Sequence, residues 1–107
     1  MIQKTPISTR RIRHTGNSFA FLPHPFLRKG FLSSLTLSET RLYLLYVLAS
    51  DHQGLSFYNP KTICRLLHFC WDDYEGAHRG LLEQDLIAED KSLVQVLELP
   101  SKPAARF

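Results

Sequence analysis

LSFYNPKTICRLLHFCWDDYEGAHRGLLEQDLIAEDKSLVQVL, residues 55 to 97, decides how this chain folds. Leu55-Ser56-Phe57-Tyr58 reads as a short strand, alternating and aromatic-rich. Asn59 is a good helix cap and Pro60 suits a first helical turn, so a helix starts there and ends near Leu67. Within it Ile63, Leu66 and Leu67 share one face, while Lys61, Thr62 and Arg65 fall elsewhere. His68-Phe69-Cys70-Trp71 is a short link with Phe69 as its apolar plug. A second helix is expected from about Asp72 to Asp85, with Cys70 or Asp72 as its cap. Tyr74, Ala77, Leu81 and Leu82 form its buried stripe, which turns Asp73, Gly76, Arg79, Gly80 and Glu83 outward. Leu86-Ile87-Ala88, a polar Glu89-Asp90-Lys91-Ser92 turn and Leu93 to Leu97 then read as a hairpin.

Upstream, Thr36 and Glu39 are spaced as a capping box, so a helix starts after Thr36. From Leu42 to Ala49 this helix is apolar nearly all round, which predicts a place at the centre of the core. Asp51-His52-Gln53-Gly54 ends it, with Gly54 suited to a left-handed cap. Further back, Pro25 predicts a short helix over Phe26 to Lys29 closed by Gly30, and Ser18 to Leu22 reads as a short strand or an extended segment laid on the core. The chain therefore divides into a basic flexible arm (1–17), one folded domain (18–99) and a proline-containing tail expected to be disordered (100–107).

The run Gly80-Leu81-Leu82-Glu83-Gln84-Asp85-Leu86-Ile87-Ala88 passes from helix end through a polar break into a strand that starts Leu-Ile. This junction, with the two close-set helices before it, resembles the winged helix-turn-helix superfamily of bacterial regulators over residues 36 to 97. Asp85 stands where such families usually carry glycine. The resemblance implies a mainly α fold with a small antiparallel β wing and a three-helix core. It also implies binding of double-stranded DNA: the third core helix enters the major groove while the second helix and wing touch phosphate. Carried over by position, base readout falls to Trp71, Glu75, Gly76, His78, Arg79 and Glu83, and phosphate contact to Lys61, Thr62, Arg65 and Lys91. Such regulators often bind as homodimers. The settings implied are transcription regulation, or an accessory role in replication or mobile elements.

Charge supports a nucleic-acid partner only in part. The first 38 residues hold six basic residues and no acid, whereas the remainder holds seven basic and ten acidic residues. Arg10, Arg11 and Arg13 cluster in the arm, a common way of touching phosphates. The third core helix instead carries Asp72, Asp73, Glu75, Glu83 and Asp85 against Arg79 alone. Acids in its first turn favour the helix itself through the macrodipole, but Glu83 and Asp85 gain nothing that way. Any DNA attraction must then come chiefly from the arm. The alternative is a protein-interaction module whose acidic third helix, with Trp71 beside it, binds a partner other than DNA.

Other classes have little support. At 107 residues, 44% hydrophobic and 21% charged, one soluble domain is expected. Leu42 to Ala49, the longest apolar run, is far short of a membrane span. Pro6, Pro23 and Pro25 would break the amphipathic helix of a transit peptide. Cys64 and Cys70 are too few for a disulfide scaffold, so a cytoplasmic setting is expected. Cys64, His68 and Cys70, with His52 or His78, match no usual zinc spacing, so neither metal nor cofactor is expected. No glycine-rich phosphate loop, nucleophile elbow or paired metal-binding histidines are present, so the chain is not expected to be an enzyme.

Overall fold

A computed structural model describes residues 22–51, 55–57, 59–91 and 93–103, with 55–57 as backbone. The basic arm, the Ser18 to Phe21 segment, the Gly54 cap and the last four residues of the tail lie outside the described residues. In chain order the elements are α1 (Pro25–Arg28), α2 (Phe31–Ser34), α3 (Leu37–Ala49), β1 (Leu55–Phe57), α4 (Pro60–Leu67), α5 (Trp71–Glu83), β2 (Ile87–Asp90) and β3 (Leu93–Val96). The protein is mainly helical with a small antiparallel sheet in the order β1-β3-β2. Leu55 pairs with Gln95 and Phe57 with Leu93 on one side of β3, and Ile87 pairs with Val96 on the other.

Local chemistry sets most boundaries. The Thr36 hydroxyl accepts from the Glu39 amide at 3.2 Å, and the Glu39 carboxylate accepts from the Thr36 amide at 2.9 Å, closing the capping box. At the start of α4, Asn59 Oδ1 accepts from the Lys61 amide at 2.8 Å and Pro60 follows. α5 begins one residue earlier than expected: Cys70 is its N-cap residue, and the Asp73 carboxylate accepts from the Cys70 amide at 3.2 Å.

Two helices end alike, on left-handed residues that are not glycine. His68 (φ 56°) closes α4, with the Phe69 amide donating to the Cys64 carbonyl at 2.9 Å. Asp85 (φ 60°) closes α5. There the Leu86 amide donates to the Leu81 carbonyl and the Asp85 amide to the Leu82 carbonyl, both at 3.1 Å. This is a Schellman motif, and its characteristic apolar pair, Leu81 with Leu86, is fully buried. The hairpin is tighter than the sequence suggested. β2 runs on to Asp90, opposite Leu93, so the connection shrinks to residues 91 and 92, with Lys91 at φ 58°.

The core gathers Leu42, Tyr43, Tyr46 and Val47 of α3 with Ile63, Ala77, Leu81, Leu86, Ile87 and Val94. Phe26 and Phe31 extend it under α1 and α2, and the Phe26 ring stacks on Tyr43 at 5.0 Å between centroids. Two expectations are corrected. α3 is central on one side only, because Leu44 (48% exposed) and Leu48 (65%) face outward. Gly80 is buried rather than outward, since Ala77, Gly80, Leu81 and Gln84 share one face of α5 and its extension. α2 is a further short helix that no sequence signal marked. Residues 100–103 are placed beside the domain, with Pro103 4.0 Å from the position a Cβ would take on Gly30.

Candidate nucleic-acid interface

α4, the His68–Cys70 link and α5 place two helices side by side, with β2 packed against α5. α5 buries one face against α3 and leaves the opposite face open. Asp72, Asp73, Glu75, Gly76, Arg79 and Glu83 are all exposed, and a Cβ added to Gly76 would meet nothing within 4 Å. On α4, Lys61 and Arg65 are exposed one turn apart, a spacing that lets two cations straddle one phosphate. Thr62 is half-buried beside them. Of the thirteen residues expected to contact DNA, Lys61, Arg65, Trp71, Glu75, Gly76, Arg79, Glu83 and Lys91 are exposed. Arg10, Arg11 and Arg13 lie outside the described residues.

His78 is placed differently from the expectation that it reads bases. Its Nδ1 lies 2.8 Å from the Tyr46 hydroxyl and its Nε2 lies 2.5 Å from Glu89 Oε2. A carboxylate only accepts, so in the neutral ring Nε2 carries the proton and Nδ1 accepts from the tyrosine. Both ring nitrogens are thus committed, and the side chain is only 12% exposed. His78 ties α5 to α3 on one side and to β2 on the other. Sequence reasoning missed this because the Tyr46 contact spans 32 residues, and no local pattern reports it.

Aromatic rings line the same flank of α5. Trp71, Tyr74 and His78 follow at three and four residues, with centroids 5.4 and 5.5 Å apart. Tyr46 meets the His78 ring edge-on at 5.9 Å. Trp71 caps the column, half exposed, and its Nε1 donates to Glu75 at 2.5 Å. The Tyr46 hydroxyl titrates far above its ordinary range, first because burial penalises the phenolate and then because Tyr74 and Glu89 stand near. Burial raises Tyr74 in the same direction.

The electrostatics of this face are acidic. Asp72, Asp73, Glu75, Glu83, Asp85, Glu89 and Asp90 are exposed along α5, its C-terminal turn and β2, against Arg79 and Lys91. Cys64 and Cys70 are free thiols. Desolvation, then the nearby Cys70 and Asp73, pushes the Cys64 thiol up, which keeps it neutral and poorly nucleophilic. No helix among the described residues is long and apolar enough to cross a membrane. Compared with protein-family models, curated proteins and solved structures, the chain finds no match.

Proposed function

We propose that the chain is a winged helix-turn-helix protein that binds double-stranded DNA, with α3, α4 and α5 as its three core helices and the β2–β3 hairpin as its wing. The carrying observation is the open outer face of α5, bearing Arg79, together with the exposed Lys61 and Arg65 of α4, the helix packed against it. On this reading Arg79 grips a base edge with two hydrogen bonds, and Lys61 and Arg65 hold the backbone. Trp71 lies at the entry of the groove. Arg10, Arg11 and Arg13 of the arm supply most of the attraction, and His78 positions the wing without touching DNA. The setting is a bacterial-type cytoplasmic regulator, or an accessory factor of replication or a mobile element.

Binding of an operator-like duplex, selected from a random pool, tests the assignment. Lys61→Ala with Arg65→Ala should weaken all duplexes alike, whereas Arg79→Ala should erase sequence preference and spare non-specific affinity. Equal loss on every sequence for Arg79→Ala would remove α5 from the groove.

A second reading draws on the seven exposed carboxylates of α5, its terminal turn and β2. They repel phosphate and suit a basic protein partner, with Trp71 as the anchor. Absence of duplex binding even at low salt would favour that reading.

A further inference from the structure

Six leucines stand exposed around the outer face of α3. Leu44 and Leu48 belong to α3, Leu27 to α1, Leu32 to α2 and Leu66 to α4, while Leu22 precedes α1. Leu44 joins them into one surface. It lines a cleft of about 540 Å³ shared with Leu22, Leu27 and Leu32, and a second of about 340 Å³ shared with Leu48 and Leu66. Leu27 (68% exposed) and Leu48 (65%), one from each cleft, are the most exposed of the six.

Charge on this surface has one sign. Arg28 lines the first cleft and Arg41 the second, and the exposed Lys29 follows Arg28 in the chain. No carboxylate lines either cleft among the described residues. Between residues 22 and 67 the described chain holds two acids: Glu39 is buried, and Asp51 lies beyond the end of α3. The other exposed carboxylates gather on α5, its C-terminal turn and β2, with Glu98 further on. In the sequence, Lys4, Arg10, Arg11 and Arg13 precede Leu22 with no acid among them.

We propose that this face docks on an anionic lipid surface, with the leucines in the acyl layer and the cations at the phosphates. The first argument is charge complementarity. Lasting attachment from one side of a bilayer takes both apolar contact and a cationic patch, and here the two share one face. Arg and Lys can lay their stems along the leucines and lift their charges to the headgroups. The second argument is outline. The leucines come from four helices and the segment before them, around two separate hollows. A fluid acyl layer fills such an outline without matching it, whereas a folded partner must be complementary in shape. The proposal does not rest on the DNA assignment: α5 packs on the core side of α3, so a lipid on the outer side leaves the α5 face open.

Co-sedimentation of the full chain with vesicles tests this, comparing phosphatidylcholine alone with phosphatidylcholine holding about 30% phosphatidylglycerol, at about 0.15 M salt. The wild type should bind the anionic vesicles at least about tenfold more tightly than the neutral ones. Leu27→Ser with Leu48→Ser keeps every cation and should weaken binding to the anionic vesicles at least about tenfold, with helicity checked by circular dichroism. Arg28→Ala with Arg41→Ala should weaken it about 25-fold, at about fivefold per cation. A wild type that ignores anionic vesicles, or binds both kinds equally, overturns the proposal. A folded leucine variant that binds as tightly as the wild type shows that the basic residues before Leu22 reach the lipid unaided, and overturns it too. Should the leucine variant unfold, the arginine variant decides, and unchanged affinity there overturns the face.

Discussion

His78 on α5 and Glu89 on β2 meet at 2.5 Å, and the other ring nitrogen of His78 meets Tyr46 on α3. Core helix, outer helix and hairpin are thereby joined through one imidazole. Losing the ring takes its acceptor from the Tyr46 hydroxyl, which keeps only Tyr74 beside it, and removes the packing against both tyrosine rings, which together costs about 1–3 kcal/mol. Losing Glu89, itself well exposed, costs under about 1 kcal/mol because water replaces it. Urea denaturation of His78→Ala and Glu89→Ala should show that order. Equal effects would mean the imidazole is held by packing alone.

Gln84 is buried at the end of α5 (1% exposed), and neither atom of its amide has a hydrogen-bond partner among the described residues. It occupies the place where the Ala77-Gly80-Leu81 face would take an apolar side chain. Gln84→Met keeps the length and removes the unpaired amide, so it should stabilise the fold by about 1–2 kcal/mol. A loss of stability in thermal or urea melts would show that the amide is satisfied in solution.

Asp85 and His68 hold left-handed backbone conformations that glycine adopts without steric cost. Asp85→Gly and His68→Gly should each raise stability, by about 0.5–1 kcal/mol, net of the entropy glycine adds to the unfolded chain. Denaturant midpoints that fall for both would contradict the left-handed geometry of these helix ends.

Tyr43, Tyr46 and Tyr74 all titrate above their ordinary value of 10.0, mainly because burial penalises the phenolate. The unfolded chain then releases these protons near pH 10 while the folded chain retains them. Stability is therefore intact below pH 10 and falls as pH rises beyond it. Tyr43→Phe removes one such proton, so its stability should decline less steeply than the wild type between pH 10 and 11. Parallel curves would show that Tyr43 ionises freely in the folded state.

The parts of this fold that were legible in sequence are those written in local chemistry. Thr36 with Glu39, and Asn59 with Pro60, place two helix starts because each cap is closed within three residues. The stripe of Ala77 and Leu81 is legible for the same reason. α3 hid its orientation, because a helix apolar on every side does not say which leucines face the core. Gly80 and Gln84 break the apolar code on a buried face. The His78 link escaped because it joins residues 32 apart. At the candidate interface, residue types named Lys61, Arg65 and Arg79, and the backbone leaves them exposed. The acidic surround was also countable in the sequence, though its continuation along β2 through Glu89 and Asp90 follows from the packing.

The central claim is that DNA attraction comes from the arm while α5 supplies contact. Its most direct test is the salt dependence of binding to random duplex DNA, with and without residues 1 to 15. About six phosphate contacts predict a steep fall of affinity with salt, and removing Lys4, Arg10, Arg11 and Arg13 should shallow the log–log slope by about 3–4. An unchanged slope after truncation, or no binding at low salt, would contradict the account.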